Sequence, residues 1–399
     1  MFIIRTIKLI PIRARVFYSY PRLGRYFVPL NGFTSFKNFC VPIHTIPTTQ
    51  KANSGDYYIK VLDAELLQRK EPVSLDLETE KAAFQKGVRR YQDGYRYQAP
   101  EVFLAYVRKA KVLSNSFLIL SPDDRIFRDS VFRNFHLGWI NELYGFRLPP
   151  INRRLKTCVV LGSLWCRGYY HWLNDVLPRL YILEKFEHLQ SIPLLLPSGL
   201  TQNQYESLHL LGISRDRIIE FDGGHWQVDR LYFPSFLSRT GNSRPQAVSW
   251  LRNHFWKELG IQVGRGDTRR SRLYISRRDA ECRRIVNEEE LVDFLESRGF
   301  KGIVPGELSF AEQVRIFSQA EIIIGPHGSG LANMVFTPPG ATLIELFPPN
   351  YINCCYWALA NACNNRYAFT IGTIKNRVSQ DFEISLDKVK KLLEVLPLD

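Results

Sequence analysis

SQAEIIIGPHGSGLANMVFTPPGATLIELF, residues 318–347, reads as strand, Gly-rich turn, helix, turn and strand within thirty residues. Glu321 is followed by the β-branched run Ile322-Ile323-Ile324, then by Gly325-Pro326-His327-Gly328-Ser329-Gly330 and the helix-compatible Leu331 to Phe336. Glycines at 325, 328 and 330 permit positive φ and close backbone approach, so that amides at a helix start can point at an anion. His327, Ser329 and Asn333 add side-chain donors. Such a turn is either an ordinary β-α connection or a diphosphate site, and the polar residues with the second strand, Ala341 to Phe347, favour the latter. Glu345 interrupts that strand, and an acid there is costly unless paired or bound; near a phosphate turn it could accept from ribose hydroxyls.

Upstream, Arg272 to Asp279 reads as a strand ending in Arg277 and Arg278, with Arg283 and Arg284 beyond. Ligands gather at the carboxyl ends of parallel strands, where a fixed Arg277 would bind phosphate in bidentate fashion; the other reading is a charged loop balanced by Asp279 and Glu281. Asn287 with Glu290, and Ser309 with Glu312, have the spacing of capping boxes. Further back, a helix over 171–183 would place His171, Asp175 and Arg179 on one face, although Pro178 must kink or bound it. That face is either a surface ion-pair ladder or a group able to deprotonate a hydroxyl and steady a negative charge.

At 399 residues and 45% apolar content, the chain can bury cores for two globular domains. From residue 150 onward, strand-like and helix-like segments alternate, which predicts parallel sheets covered by helices. Short β segments at 102–104, 110–113 and 116–120 precede them. The net charge of +14 is uneven: eight Lys or Arg residues come before the first acid, Asp56. The basic N-terminal segment has no apolar run long enough to span a bilayer and suits either a structural arm or contact with an anionic membrane surface. No nucleic-acid-binding motif accompanies the charge. Seven scattered cysteines, without zinc spacing, and the lack of any Asn-x-Ser/Thr acceptor favour a reducing compartment.

Taken in order, Tyr170-His171-Trp172-Leu173-Asn174-Asp175-Val176-Leu177-Pro178-Arg179, Tyr274-Ile275-Ser276-Arg277-Arg278, the Asn287-Glu288 helix start, Gly325 to Asn333 and Pro339 to Glu345 resemble family-61 glycosyltransferases. The ordered match spans about residues 100 to 370. The resemblance implies an α/β protein of GT-B architecture, with two facing Rossmann-like domains and an N-terminal β-containing extension. The expected divisions are a basic extension over 1–99, an acceptor-side domain over 100–255, a donor-side domain over 256–375 and a C-terminal helix in 376–399. It implies inverting transfer from a nucleotide-sugar, expected to be a UDP-sugar, to a glycan acceptor in capsule or surface polysaccharide synthesis. The alternative is a non-catalytic nucleotide- or glycan-binding relative. Arg277, His327, Gly328, Ser329, Gly330 and Asn333 would hold the donor diphosphate and Glu345 the ribose, while Asp175, or His171, would be the base. No metal or other cofactor is expected, and a cytoplasmic protein, peripheral on the inner membrane face, is the setting that fits.

Overall fold

The structure, a computed structural model, describes residues 28–29, 33–42, 55–76, 78–131, 147–262 and 271–396. The basic segment before residue 28 and the loop 264–270 lie outside the described residues, and with them the membrane-surface expectation. No helix among those described is long and apolar enough to cross a membrane.

Two sheets organise the chain. The first contains strands β1 (Tyr57–Leu62), β2 (Val102–Leu113), β3 (Arg153–Val160), β4 (Leu194–Pro197), β5 (Ile218–Phe221) and β6 (His225–Pro234). Its parallel part runs in the order β5-β4-β3-β6, and β2 pairs antiparallel with both β6 and β1. The separate β segments expected near 102–113 are one strand. Arg108 and Lys109 are both exposed, and Lys109 has φ 52°. The ladder with β6 steps over Lys109 and Asp229, a local irregularity that breaks the two-residue alternation used to recognise a strand.

The second sheet is wholly parallel. It comprises β7 (Ser271–Ile275), β8 (Phe300–Ile303), β9 (Ala320–Pro326), β10 (Thr342–Phe347) and β11 (Arg366–Ile371), in spatial order β8-β7-β9-β10-β11. Numbered within the sheet this is 2-1-3-4-5, a doubly wound order whose switch point falls between β7 and β9. Side chains alternate between two cores. Tyr274, Ile322, Ile324, Ile344 and Leu346 face one, and Leu273, Ile275, Ile323, Leu343 and Phe347 face the core shared with the first sheet. Burial on both faces explains why these strands read as continuous apolar runs.

Helices α1 (Thr79–Tyr91), α2 (Gln202–Leu210), α3 (Pro245–Glu258), α4 (Glu288–Glu296), α5 (Phe310–Phe317), α6 (Cys355–Ala362) and α7 (Leu386–Val395) surround the sheets. The box at Ser309 and Glu312 forms, with each side chain bonded to the other's backbone amide. The box expected at Asn287 does not. Its amide is occupied by both backbone groups of Ile384, tying the start of α4 to the C-terminal segment.

The two sheets are joined at several points. Glu206 of α2 accepts from the amides of Phe310 (2.8 Å) and Ala311 (3.2 Å) at the start of α5. Residues 55–99, grouped by sequence with the N-terminal extension, reach both sheets. β1 belongs to the first, while Val73 bridges to Ala368 of β11 and α1 packs Phe84 against Phe369 at 4.4 Å.

Candidate active site

The switch point of the second sheet opens into a cavity of about 510 Å³. Ser276 and Arg277 leave β7 on one side of it, and Pro326, Gly328, Ser329 and Gly330 follow β9 on the other. Tyr169, Thr201, Gln202 and Asn203 of the first half complete the wall.

The glycines are needed for close approach. None of Gly325, Gly328 and Gly330 has positive φ, contrary to the expectation for this turn, and Gly328 is extended at φ −175°. A Cβ on Gly328 would lie 1.8 Å from Nη1 of Arg277, and one on Gly325 would lie 2.9 Å from Cβ of Ile275. The segment after the turn, Ser329–Phe336, is a 3₁₀ helix.

The four arginines after β7 divide into two pairs. Arg278 bonds Glu307 at 3.1 Å and Arg284 bonds Asp381 at 3.0 Å, both as outward ion pairs. Arg277 and Arg283 make no ion pair with a described carboxylate. Arg277 is held by the carbonyl of Cys282, to which Nε and Nη2 both donate, at 3.3 and 3.1 Å. Arg283 lies over the Tyr351 ring at 4.9 Å, and its buried Nε has no partner among the described residues. Burial, and then the neighbouring Arg283, lower the pKa of Arg277. Two half-buried guanidiniums without a described carboxylate have the charge and donors to pair with a multiply charged anion. Arg283 was visible in the sequence as one of a basic group; what marks it out is the pairing of its neighbours.

His327 sits behind this site. Nδ1 is hydrogen-bonded to Oε1 of Glu345, while Tyr367 donates to Oε2. Both carboxyl oxygens of Glu345 are thus occupied beneath the histidine, so the structure does not support the ribose contact expected of it. Burial, with Arg283 and Arg277 adding to it, pushes the His327 imidazole well below its usual range, and burial raises Glu345 well above the usual carboxyl range. Asn333 is also engaged: its amide donates to Gln313 (2.7 Å) and Gly330 (3.1 Å), and its oxygen accepts from Tyr169 at 2.6 Å. It fixes the turn and joins it to the first half, and its donors are not directed at a ligand. Ser329 is exposed on the cavity wall.

In the first half, the expected regular helix over 171–183 is a succession of short pieces. Tyr169–His171 is α, Trp172–Val176 π, Leu177–Arg179 3₁₀ and Leu180–Leu183 α. Pro178 lies within the third piece, where it cannot donate to a preceding carbonyl. The change of pitch separates Arg179 from the other two residues. Fully buried, Arg179 donates to Val160 and Leu161 at the end of β3 (2.7 Å each) and to Pro234 at the end of β6 (2.8 Å). The crevice between these strands is therefore filled by an arginine, whereas the crevice of the second sheet is open.

His171 and Asp175 remain together. Nδ1 of His171 lies 2.7 Å from Oδ2 of Asp175, which also accepts from Thr240 at 2.8 Å. The Asp175 side chain is 1% exposed and that of His171 25%. An aromatic wall joins this dyad to His327: His171, Tyr170, Tyr356 and His327 follow one another with ring centroids 5.3, 5.5 and 5.2 Å apart. Among the described residues, no three His, Cys, Asp or Glu side chains stand together as a metal site.

Fold and site together define an α/β protein with an open crevice, lined by Arg277, at a parallel-sheet switch point, and a histidine–carboxylate dyad in the other half that the ring series Tyr170, Tyr356 and His327 joins to the Gly-rich turn. Residues 169–344, somewhat less than half of the chain, match the family Glycosyltransferase 61. The matched span contains the dyad, Arg277, Arg283 and the Gly325–Gly330 turn. The chain is similar to the EGF domain-specific O-linked N-acetylglucosamine transferase of Pan troglodytes, 37% identical over 168 residues, covering 39% of this chain and 31% of the relative. It is similar to those of Gallus gallus, 36% identical over 98 residues (22% of this chain, 17% of the relative), and Drosophila melanogaster, 35% over 101 residues (24% and 18%). The chain thus spans less than a third of the length of these relatives.

Proposed function

We propose that the protein transfers a sugar from a nucleoside-diphosphate sugar to an acceptor hydroxyl, with inversion at the anomeric carbon, in a GT-B arrangement with the donor on the second sheet. The observation that carries this reading is Arg277 on the wall of the switch-point cavity with the cationic Arg283 as its neighbour, neither paired with a described carboxylate. The diphosphate would lie between the guanidiniums and over Gly328, with Nε2 of His327 as a further contact. Glu345 and Tyr367 would orient that imidazole. Charge that develops on the leaving diphosphate would be met by fixed cations, as a divalent metal could otherwise do.

The base is assigned to His171, with Asp175 behind it. Asp175 is too enclosed to reach an acceptor, but it holds Nδ1–H and leaves the lone pair on Nε2. As the acceptor oxygen bonds to the anomeric carbon, its proton passes to Nε2, and the carbon–oxygen bond to the β-phosphate breaks with its electron pair on the diphosphate. The relatives' name makes N-acetylglucosamine the first donor sugar to test. A UDP donor, independence from added metal, a role in surface polysaccharide synthesis and a cytoplasmic site at a membrane surface belong to the same proposal.

Calorimetry with UDP and turnover of UDP-sugars, with and without chelator, test it. Arg277→Ala should weaken UDP binding at least about tenfold. His171→Ala should leave that affinity within about twofold while lowering kcat by about 10²–10⁴. Wild-type turnover in His171→Ala would remove the base assignment.

A further inference from the structure

Trp165 stands at the dyad and is used by no step above. It follows the carboxyl end of β3 in the loop Leu161 to Gly168, and its ring centroid lies 5.2 Å from that of His171 at an interplanar angle of 41°. Its φ is 65°, the left-handed region that glycine enters freely and a bulky side chain enters at a cost. Core burial does not offset that cost, because Trp165 is 40% exposed. Trp172 and Trp357, by contrast, are fully buried.

The loop fixes the indole relative to the imidazole. The amide of Cys166 donates to Ser163 at 3.1 Å and that of Gly168 to the carbonyl of Trp165 at 2.8 Å. A Cβ on Gly168 would lie 3.3 Å from that carbonyl and 3.5 Å from Cδ2 of His171, so glycine keeps the two elements close without crowding.

We propose that Trp165 is the acceptor platform: the indole stacks on the C–H face of a pyranose ring and presents one of that ring's hydroxyls to His171. This rests on the reading of His171 as the base. A molecule that places a hydroxyl at His171 comes within van der Waals reach of an indole one ring away, and a pyranose has an apolar face and a polar rim suited to it. Among the described residues the other exposed large apolar side chains, Val41, Leu66, Val73, Val286, Val378 and Val395, belong to other parts of the chain. One exposed ring suits a single sugar better than it suits a folded protein domain, which requires a broad contact surface.

The test uses methyl β-glycosides of glucose, galactose, xylose and N-acetylglucosamine as probes, with saturation-transfer NMR on the full chain, Trp165→Ala and Trp165→Phe. Serine-containing peptides form a parallel arm, and UDP affinity is measured separately by calorimetry. At least one glycoside should receive saturation on its ring protons from the wild type and Trp165→Phe, and bind at least about fivefold more weakly to Trp165→Ala, with UDP affinity within about twofold in all three. Equal glycoside binding by Trp165→Ala, no glycoside binding at all, or Trp165-dependent binding of peptides alone would overturn the platform. Failure of the wild type to bind UDP would overturn the donor site instead, while Trp165-dependent glycoside binding would still support the platform.

Discussion

Gly328 is extended at φ −175°, so its backbone would accept any residue. It is glycine because the Arg277 guanidinium occupies the space a methyl would fill, 1.8 Å from Nη1. The two possible reasons for a glycine predict different mutants. Were the constraint conformational, alanine would destabilise the fold; here the obstructed atom is the end of a flexible side chain, which can move aside and leave the site. Gly328→Ala should therefore keep its melting temperature within a few degrees while UDP affinity falls at least about tenfold, a split read by scanning calorimetry and titration on one sample. Unchanged UDP affinity would remove Arg277 from the donor site. Residue types were legible in the sequence here, but their assignments were not. His171 and Asp175 appear as neighbours at helical spacing, yet only packing shows that the acid is enclosed and the histidine reachable. Glu345 and Asn333 read as ligand donors because their side chains suit the task, and both turn out to be saturated by protein groups.

Among the elements, those whose partners are local in sequence were the most legible. The Ser309–Glu312 box is closed within four residues and forms as its spacing predicts. The equivalent spacing at Asn287 fails because its amide is claimed by Ile384, nearly a hundred residues on. The helix at 171–183 was readable as apolar periodicity, but its change of pitch follows from Pro178 and from the three carbonyls that draw in Arg179. α5 shows the same contrast from its other side, since its next two free amides, those of Phe310 and Ala311, are capped by Glu206 from the first half of the chain. Removing that carboxylate leaves two helix-end donors without their acceptor. Glu206→Ala should cost about 1–2 kcal/mol in urea unfolding. A loss below about 0.3 kcal/mol would mean that solvent replaces the cap and that this contact between the halves is incidental.

At the scale of the whole molecule, the α/β alternation from residue 150 onward was legible, because parallel sheets covered on both faces leave apolar runs punctuated by turns. The route of residues 55–99 was not, since contact across more than two hundred residues leaves no periodic trace. Glu80, buried in the first turn of α1, accepts from Thr370 Oγ1 and the amide of Ile371 at 2.9 Å each, and from Lys388 Nζ at 2.8 Å; Ser74 donates to its other oxygen. One carboxylate thus ties α1 to β11 and α7, while β1 of the same segment pairs into the first sheet. Unfolding the second sheet must strip α1 from it and pull on the first, so the two sheets should melt as one cooperative unit. Glu80→Ala abandons the buried hydroxyl of Thr370 and the half-buried amide of Ile371, and a loss of about 2–3 kcal/mol is expected. Scanning calorimetry should show one transition in the wild type and a lower one in the variant. Hydrogen exchange should quicken across 79–91 and 366–371 before it changes in 153–160, because the tie lost is to the second sheet. A variant melting with the wild type, or exchange rising equally in both sheets, would show that Glu80 does not hold the segment in place.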